Sequence, residues 1–146
     1  MIEFRIEGDP RGKQRPRHTR SGIVYTPSET VAYEKKIKAA YYGALAEPGA
    51  EPGTAIYHEP EKGPMSIEID AGYPVPKGYP KVKKKNMLAG YTLPTKKPDL
   101  DNVVKIIMDA LNGEAYVDDR QVVEIRAIKQ FSEVPGVVVR IGRLRE

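Results

Sequence analysis

An α+β domain is the fold this sequence predicts: one small mixed or antiparallel sheet with about two helices packed on it and long basic loops between. Three observations carry that expectation. Apolar residues alternate at both ends of the chain, and two internal stretches repeat at three and four residues. Of the 26 Gly and Pro residues, 16 fall between positions 43 and 98, where little regular structure can form. The 146 residues, 40% apolar and 30% charged, suit one domain over 1–146 with a core of its own.

Ile2, Phe4 and Ile6 alternate with Glu3, Arg5 and Glu7, the period of a half-buried strand, stopped by Gly8 and Pro10. A basic loop follows, then a short extended piece at Ile23, Val24 and Tyr25. Thr26 as a cap, Pro27 at the first helical position and Glu29 two residues on fit a capping box. Tyr33, Ile37, Ala40, Tyr41 and Ala44 then form the buried stripe of a helix, with Glu34, Lys35, Lys36 and Lys38 facing outward. Between two long loops, 46–64 and 73–97, lies one strand, Met65, Ile67, Ile69 and Ala71 against Ser66, Glu68 and Asp70. A second helix starts near Asp101, because Pro98 biases Lys97 away from helical angles and Asp is a preferred cap. Val103, Val104, Ile107 and Leu111 are its buried stripe, and Asn112 and Gly113 close it. Gln121 to Lys129 reads as a strand, Glu133, Pro135 and Gly136 as a turn, and Val137 to Leu144 as the last strand, together a hairpin.

The absence of Cys excludes disulfides, thiol nucleophiles and Cys-ligated zinc, and two His residues, His18 and His58, are too few for a multi-histidine site. With no apolar signal core and no run approaching a membrane span, a cytoplasmic protein is expected. The net charge of +4 conceals an uneven distribution. Residues 10–22 hold no acid and carry Arg11, Lys13, Arg15, Arg17 and Arg20; residues 71–98 hold none and carry Lys77, Lys81, Lys83, Lys84, Lys85, Lys96 and Lys97. Those are +5 and +7, leaving −8 for the rest. Such a division suits a polyanion held around a carboxylate site. Tyr73, Tyr79 and Tyr91 interleave the lysines, as base-stacking platforms or as ordinary loop anchors.

The acids lie in KKPDLDNVVKIIMDALNGEAYVDDRQV, residues 96–122. Asp99 and Asp101, one residue apart at a helix start, project to the same side if the approach is extended and diverge within a helix. Oxygen-only ligands suit Mg²⁺, which takes one or two carboxylates and leaves its other positions to water and substrate phosphate. Adjacent residues on a strand face opposite ways, so one of Asp118 and Asp119 completes such a cluster. Lys105, one turn from Asp101, is placed to steady charge developing on a phosphate. The plainer alternatives are an Asp101–Lys105 ion pair worth ~0.2–0.5 kcal/mol and a cap with a solvating acid at Asp99 and Asp101. Asp109 and Glu114 read as an ordinary helix and an ordinary turn residue.

KPDLDN at 97–102, then Lys105, Asp109, Ala110 and Leu111, then Asp118, Asp119, Gln121 and Val122, closely resembles the signature of the RusA-type Holliday junction resolvases, often of prophage origin. GDPRGKQRPR at 8–17, with YTP at 25–27, resembles the opening motif of many members. The resemblance implies a homodimeric, Mg²⁺-dependent endodeoxyribonuclease, with Mn²⁺ able to substitute, that cuts DNA four-way junctions by paired nicks in recombination and repair. By position, Asp99, Asp101 and Asp119 match the catalytic metal-binding aspartates, Lys105 the catalytic lysine, and Asp118 the neighbouring acid in a supporting role. Phosphate contacts are expected from Arg11, Lys13, Arg15 and Arg17 and from Lys81, Lys83, Lys84 and Lys85. The twofold symmetry of a four-way junction gives the dimer a physical reason.

Other readings make distinct predictions. A non-catalytic, structure-selective nucleic-acid-binding protein would show salt-sensitive binding without cleavage. A nuclease starting a PD then (D/E)xK motif at Pro98 and Asp99 lacks its ExK, because Glu124, Ile125 and Arg126 end in arginine. A nucleotidyltransferase using Asp99 and Asp101 lacks a Gly-Ser strand opening.

Overall fold

A computed structural model describes residues 1–46, 49, 51 and 58–144. The elements run β1 (Ile2–Glu7), β2 (Arg17–His18), β3 (Val24–Tyr25), α1 (Ser28–Leu45), β4 (Met65–Pro74), α2 (Lys81–Leu88), α3 (Leu100–Leu111), a 3₁₀ turn (Asp119–Gln121), β5 (Val122–Ser132) and β6 (Gly136–Arg143). One mixed sheet has the order β1-β6-β4-β5, and β2 with β3 forms a separate two-stranded ribbon. The α+β expectation holds, with a third helix. Part of the expected loop 46–64, namely residues 47, 48, 50 and 52–57, lies outside the described residues.

Alternation makes the sheet one wall of the core. Phe4 and Ile6 on β1, Ile67, Ile69, Ala71 and Tyr73 on β4, and Val137, Val139 and Ile141 on β6 are buried together. Against them α1 presents Tyr33, Ile37 and Tyr41, and α3 presents Val103, Ile106, Ile107, Ala110 and Leu111. Each isoleucine so enclosed contributes about 1.5–3 kcal/mol relative to exposure. The α3 stripe is wider than its predicted four residues: Ile106 and Ala110 are fully buried while Val104 is half-buried, because the helix lies in a corner between α1 and the sheet.

Three expectations are corrected. The final two strands form no hairpin: β4 lies between them, parallel to β5 and antiparallel to β6. The link from Ser132 to Gly136 crosses β4 at Gly72, where a Cβ would stand 2.9 Å from the Ser132 Cβ and 3.2 Å from the Gly136 carbonyl. Arg5 Nη2 holds this link by donating to the Val134 carbonyl at 2.8 Å. Second, no capping box forms at 26–29. Pro27 is itself the cap residue, with ψ 142°, and no side chain bonds to the α1 start; Glu29 in the first turn complements the helix dipole instead. Third, the stretch 73–97 is not one loop. β4 extends to Pro74, and KVKKKNML forms α2 after Pro80. Those eight residues contain no Gly or Pro, and Lys, Met and Leu favour helix, so the density of breakers on either side conceals a helix that the segment itself supports. Gly90, at φ 86°, ends the helix in a left-handed conformation that suits glycine.

No helix among the described residues is long and apolar enough to cross a membrane.

Candidate active site and nucleic-acid interface

The acidic motif is built onto the start of α3. Pro98, after a cis peptide bond, leads to Asp99, whose ψ of 145° makes it the extended cap residue. The Asp99 carbonyl accepts from the Asn102 and Val103 amides, both at 3.1 Å, yet its carboxylate caps nothing. Asp101 sits in the first turn. Asp99, Asp101 and Lys105 are all exposed, and none of their side chains has a hydrogen-bond or ion-pair partner among the described residues. The Asp101–Lys105 ion pair therefore does not close, and the side-chain cap at Asp99 is absent too. Three charged groups stand free at one helix end.

What holds that end is the first basic segment. Gly12 packs on it so closely that a Cβ would meet Pro98 Cβ and Asn102 Cβ, each at 3.0 Å. The Lys13 amide donates to the Asn102 carbonyl at 2.9 Å, which gives the motif asparagine a backbone role. Lys13 Nζ bridges Glu34 on α1 at 2.6 Å and Asp109 on α3 at 3.3 Å. Burial works against its charge, but the two carboxylates more than offset that and hold the ammonium above its ordinary value. Lys13, expected at the DNA, is thus a clamp between helices, and Asp109, expected on an ordinary exposed face, is half-buried in the same ion pair.

A second support comes from β4 and β5. The buried Tyr73 donates its hydroxyl to the Pro98 carbonyl at 2.6 Å. Lys129 Nζ donates to the Lys96 carbonyl at 2.8 Å and lies 4.8 Å from the centre of the Tyr73 ring. Burial, and then the neighbouring charge of Asp99, push the Tyr73 hydroxyl up to about 12, so it remains a donor at neutral pH. Neither role is legible in the sequence: a tyrosine in strand alternation and one lysine on a strand carry no local signature.

The remaining acids differ from each other. Asp118 caps the 3₁₀ turn: its Oδ1 accepts from the Arg120 amide at 2.9 Å, and its own amide donates to Gln121 Oε1 at 2.9 Å. Gln121 Nε2 in turn ties the turn to the Glu61 and Gly63 carbonyls. Asp119, half-buried, has no such commitment. Both lie near α3, since the buried Tyr116 donates to the Met108 carbonyl at 2.6 Å, and its hydroxyl is pushed up by burial and then by Asp119, Asp109 and Asp118.

Among the described residues no three His, Cys, Asp or Glu side chains are gathered closely enough to cage a metal ion. The donor chemistry nonetheless fits a hard cation. Asp99, Asp101 and Asp119 offer uncommitted carboxylates, and Mg²⁺ needs only one or two when water and substrate phosphate complete its shell.

The basic groups expected at DNA are mostly exposed, and Arg11 shares a cavity with Asp99. Arg11, Arg15 and Arg17 are exposed on the 9–18 segment, and Lys81, Lys83 and Lys85 are exposed on α2, with Lys84 half-buried. Lys83 Nζ stacks 4.0 Å from the centre of the Tyr79 ring. A cavity of about 590 Å³ opens between the basic segment, α1 and Asp99.

Compared with known proteins, residues 7–142 match the family model described as Endodeoxyribonuclease RusA. The chain is also 37% identical over 145 residues to Uncharacterized protein YqaN of Bacillus subtilis (strain 168), covering 96% of this chain and 94% of that one.

Proposed function

The chain belongs to the RusA endodeoxyribonuclease family, and from that premise we propose that it is a Mg²⁺-dependent nuclease that resolves DNA four-way junctions in recombination and repair. It acts as a homodimer, since two symmetric nicks on a twofold junction call for two sites related by a twofold axis. The observation that carries the reading is the start of α3: Asp99, Asp101 and Lys105 stand exposed and unpaired, on a helix end clamped by Lys13, Gly12, Tyr73 and Lys129. Exposed carboxylates that make no bond in the fold are free to meet a cation, and the unpaired lysine beside them is free to meet a phosphate.

Asp99, Asp101 and Asp119 would hold the metal. When bound, it would supply the polarisation of a phosphoryl oxygen and the activation of water. Lys105, one turn along the helix, brings a second positive charge to the phosphate undergoing cleavage. Asp118 contributes through the turn that it caps, which presents Asp119. The backbone charges of the arms are neutralised by Arg11, Arg15, Arg17 and the α2 lysines. The clamps fix the backbone on both sides of Asp99, so that less ordering is left for substrate binding to accomplish.

The test incubates the protein with a labelled mobile four-way junction and a matching linear duplex, with Mg²⁺, Mn²⁺ or EDTA. Paired symmetric nicks on the junction with either metal, none with EDTA and little on the duplex are expected. Equal nicking of the duplex, or no nicks with metal, would overturn the reading, and binding without cutting would favour the structure-selective binding protein.

The basic groups divide under mutation. Replacing Lys83, Lys84 and Lys85 with Ala should reduce the slope of log K against log salt by up to about 0.9 for each phosphate that is no longer neutralised, with an unchanged melting temperature. Lys13→Ala should instead cost roughly 1–3 kcal/mol of stability, because it leaves Glu34 and Asp109 half-buried without their shared partner. Salt titrations of binding and thermal melts separate the two; a normal melt for Lys13→Ala would return that residue to the DNA-contacting set.

A further inference from the structure

We propose that the cavity beside Asp99 takes one unstacked nucleotide of the DNA, adjacent to the bond that is cut, and reads its base. The inference rests on the nuclease reading above and adds a source of cut-site preference to it.

An unpaired hydroxyl on the cavity wall points to a ligand. Thr30, on the wall of the cavity, is 2% exposed, and its Oγ1 has no hydrogen-bond partner. A buried polar group without a partner destabilises a fold, and nearly all such groups in native proteins are paired. Valine would fill the Thr30 site without that cost. A hydroxyl there is explained by a ligand that completes it.

The chemistry of the cavity selects the base over the phosphate. A volume of about 590 Å³ is in the range of small-molecule sites and far exceeds what a bare phosphate occupies. Its lining carries both signs, Asp9 and Glu29 as well as Arg11 and Lys97, so a lone anion meets carboxylates inside. A nucleobase, neutral with a mixed edge of donors and acceptors, suits the Thr30 hydroxyl and the amide of Gln14, while Tyr73, Pro74 and Pro98 supply apolar wall for its faces. The adjoining phosphate then lies at the cavity mouth, toward Asp99. Strand exchange at a junction centre leaves the neighbouring bases the least costly to unstack.

The experiment places 2-aminopurine in turn at each position flanking the cut in a four-way junction, and follows its fluorescence on binding in EDTA, where no cutting occurs. A rise of several-fold at one position is expected with the wild-type protein. Thr30→Val should raise the melting temperature, because it removes an unpaired buried hydroxyl. It should also reduce discrimination, by ~2- to 10-fold, between junctions differing in the base at that position, the equivalent of one hydrogen bond. Gln14→Ala, at an exposed residue, should lower discrimination with an unchanged melt. No brightening at any position on a junction that is bound and cut overturns this inference alone; so does Thr30→Val with a raised melt and intact preference. A protein that binds no junction overturns both this and the function proposed above.

Discussion

Asp101→Asn is expected to abolish cutting of a four-way junction, by ~10²–10³-fold or more, while junction binding stays at wild-type strength. The substitution removes one charge and nearly preserves shape. Asp101 is exposed and its side chain has no partner among the described residues, so its replacement should alter stability by no more than about 0.5 kcal/mol. Asp99→Asn should behave alike, since Asn caps a helix as well as Asp and the Asp99 carboxylate caps nothing here. Gel-shift binding in EDTA and nicking in Mg²⁺ measure the two properties separately, and a Mn²⁺ titration of the free protein should show weakened metal binding. If Asp101→Asn also abolished junction binding or the cooperative melt, the residue would be part of the fold and the proposed site would be wrong.

The pair Asp118 and Asp119 should give opposite signatures. Asp119→Asn should stop cutting and leave the melt unchanged, because its carboxylate makes no bond that the fold needs. Asp118→Ala should cost about 0.5–2 kcal/mol, the usual cost of removing a capping side chain, since its Oδ1 holds the Arg120 amide. Its effect on cutting should be smaller and follow from the loosened turn. Asp118→Asn or Asp118→Ser, which retain a capping oxygen, should restore stability and most of the activity. Full activity in Asp119→Asn, or a normal melt with no activity in Asp118→Ala, would exchange the two roles.

The division between these neighbours shows where sequence reasoning stops. Adjacency and alternation imply that only one of two consecutive acids completes a cluster, but which one depends on Gln121 reaching Glu61 and Gly63 across the chain. The same holds at the N-terminal motif. Arg11, Lys13, Arg15 and Arg17 are alike in sequence as cations in an acid-free run, and only the fold brings Lys13 between Glu34 and Asp109. Lys105, by contrast, was legible in both of its alternatives, and the absence of a closed pair with Asp101 favours the functional one.

The strands and two of the helices were readable because amphipathic periodicity is local: Ile2, Phe4 and Ile6 alternate whatever they later touch, and Val103, Ile107 and Leu111 lie on one helical face by spacing alone. Strand order was not. The final two strands are joined by a short turn, yet β4 enters between them, because its edges pair with both and Gly72 lets the link pass. By itself, the sequence determined the α+β class, the split of charge into basic segments and an acidic centre, and the choice of carboxylates as the available metal ligands in a chain without Cys. Only the tertiary structure decided which charges are free and which are spent on the fold. Hydrophobic period is written in neighbouring residues, whereas the partner of a charge is set by distances that exist only after the chain has closed on itself.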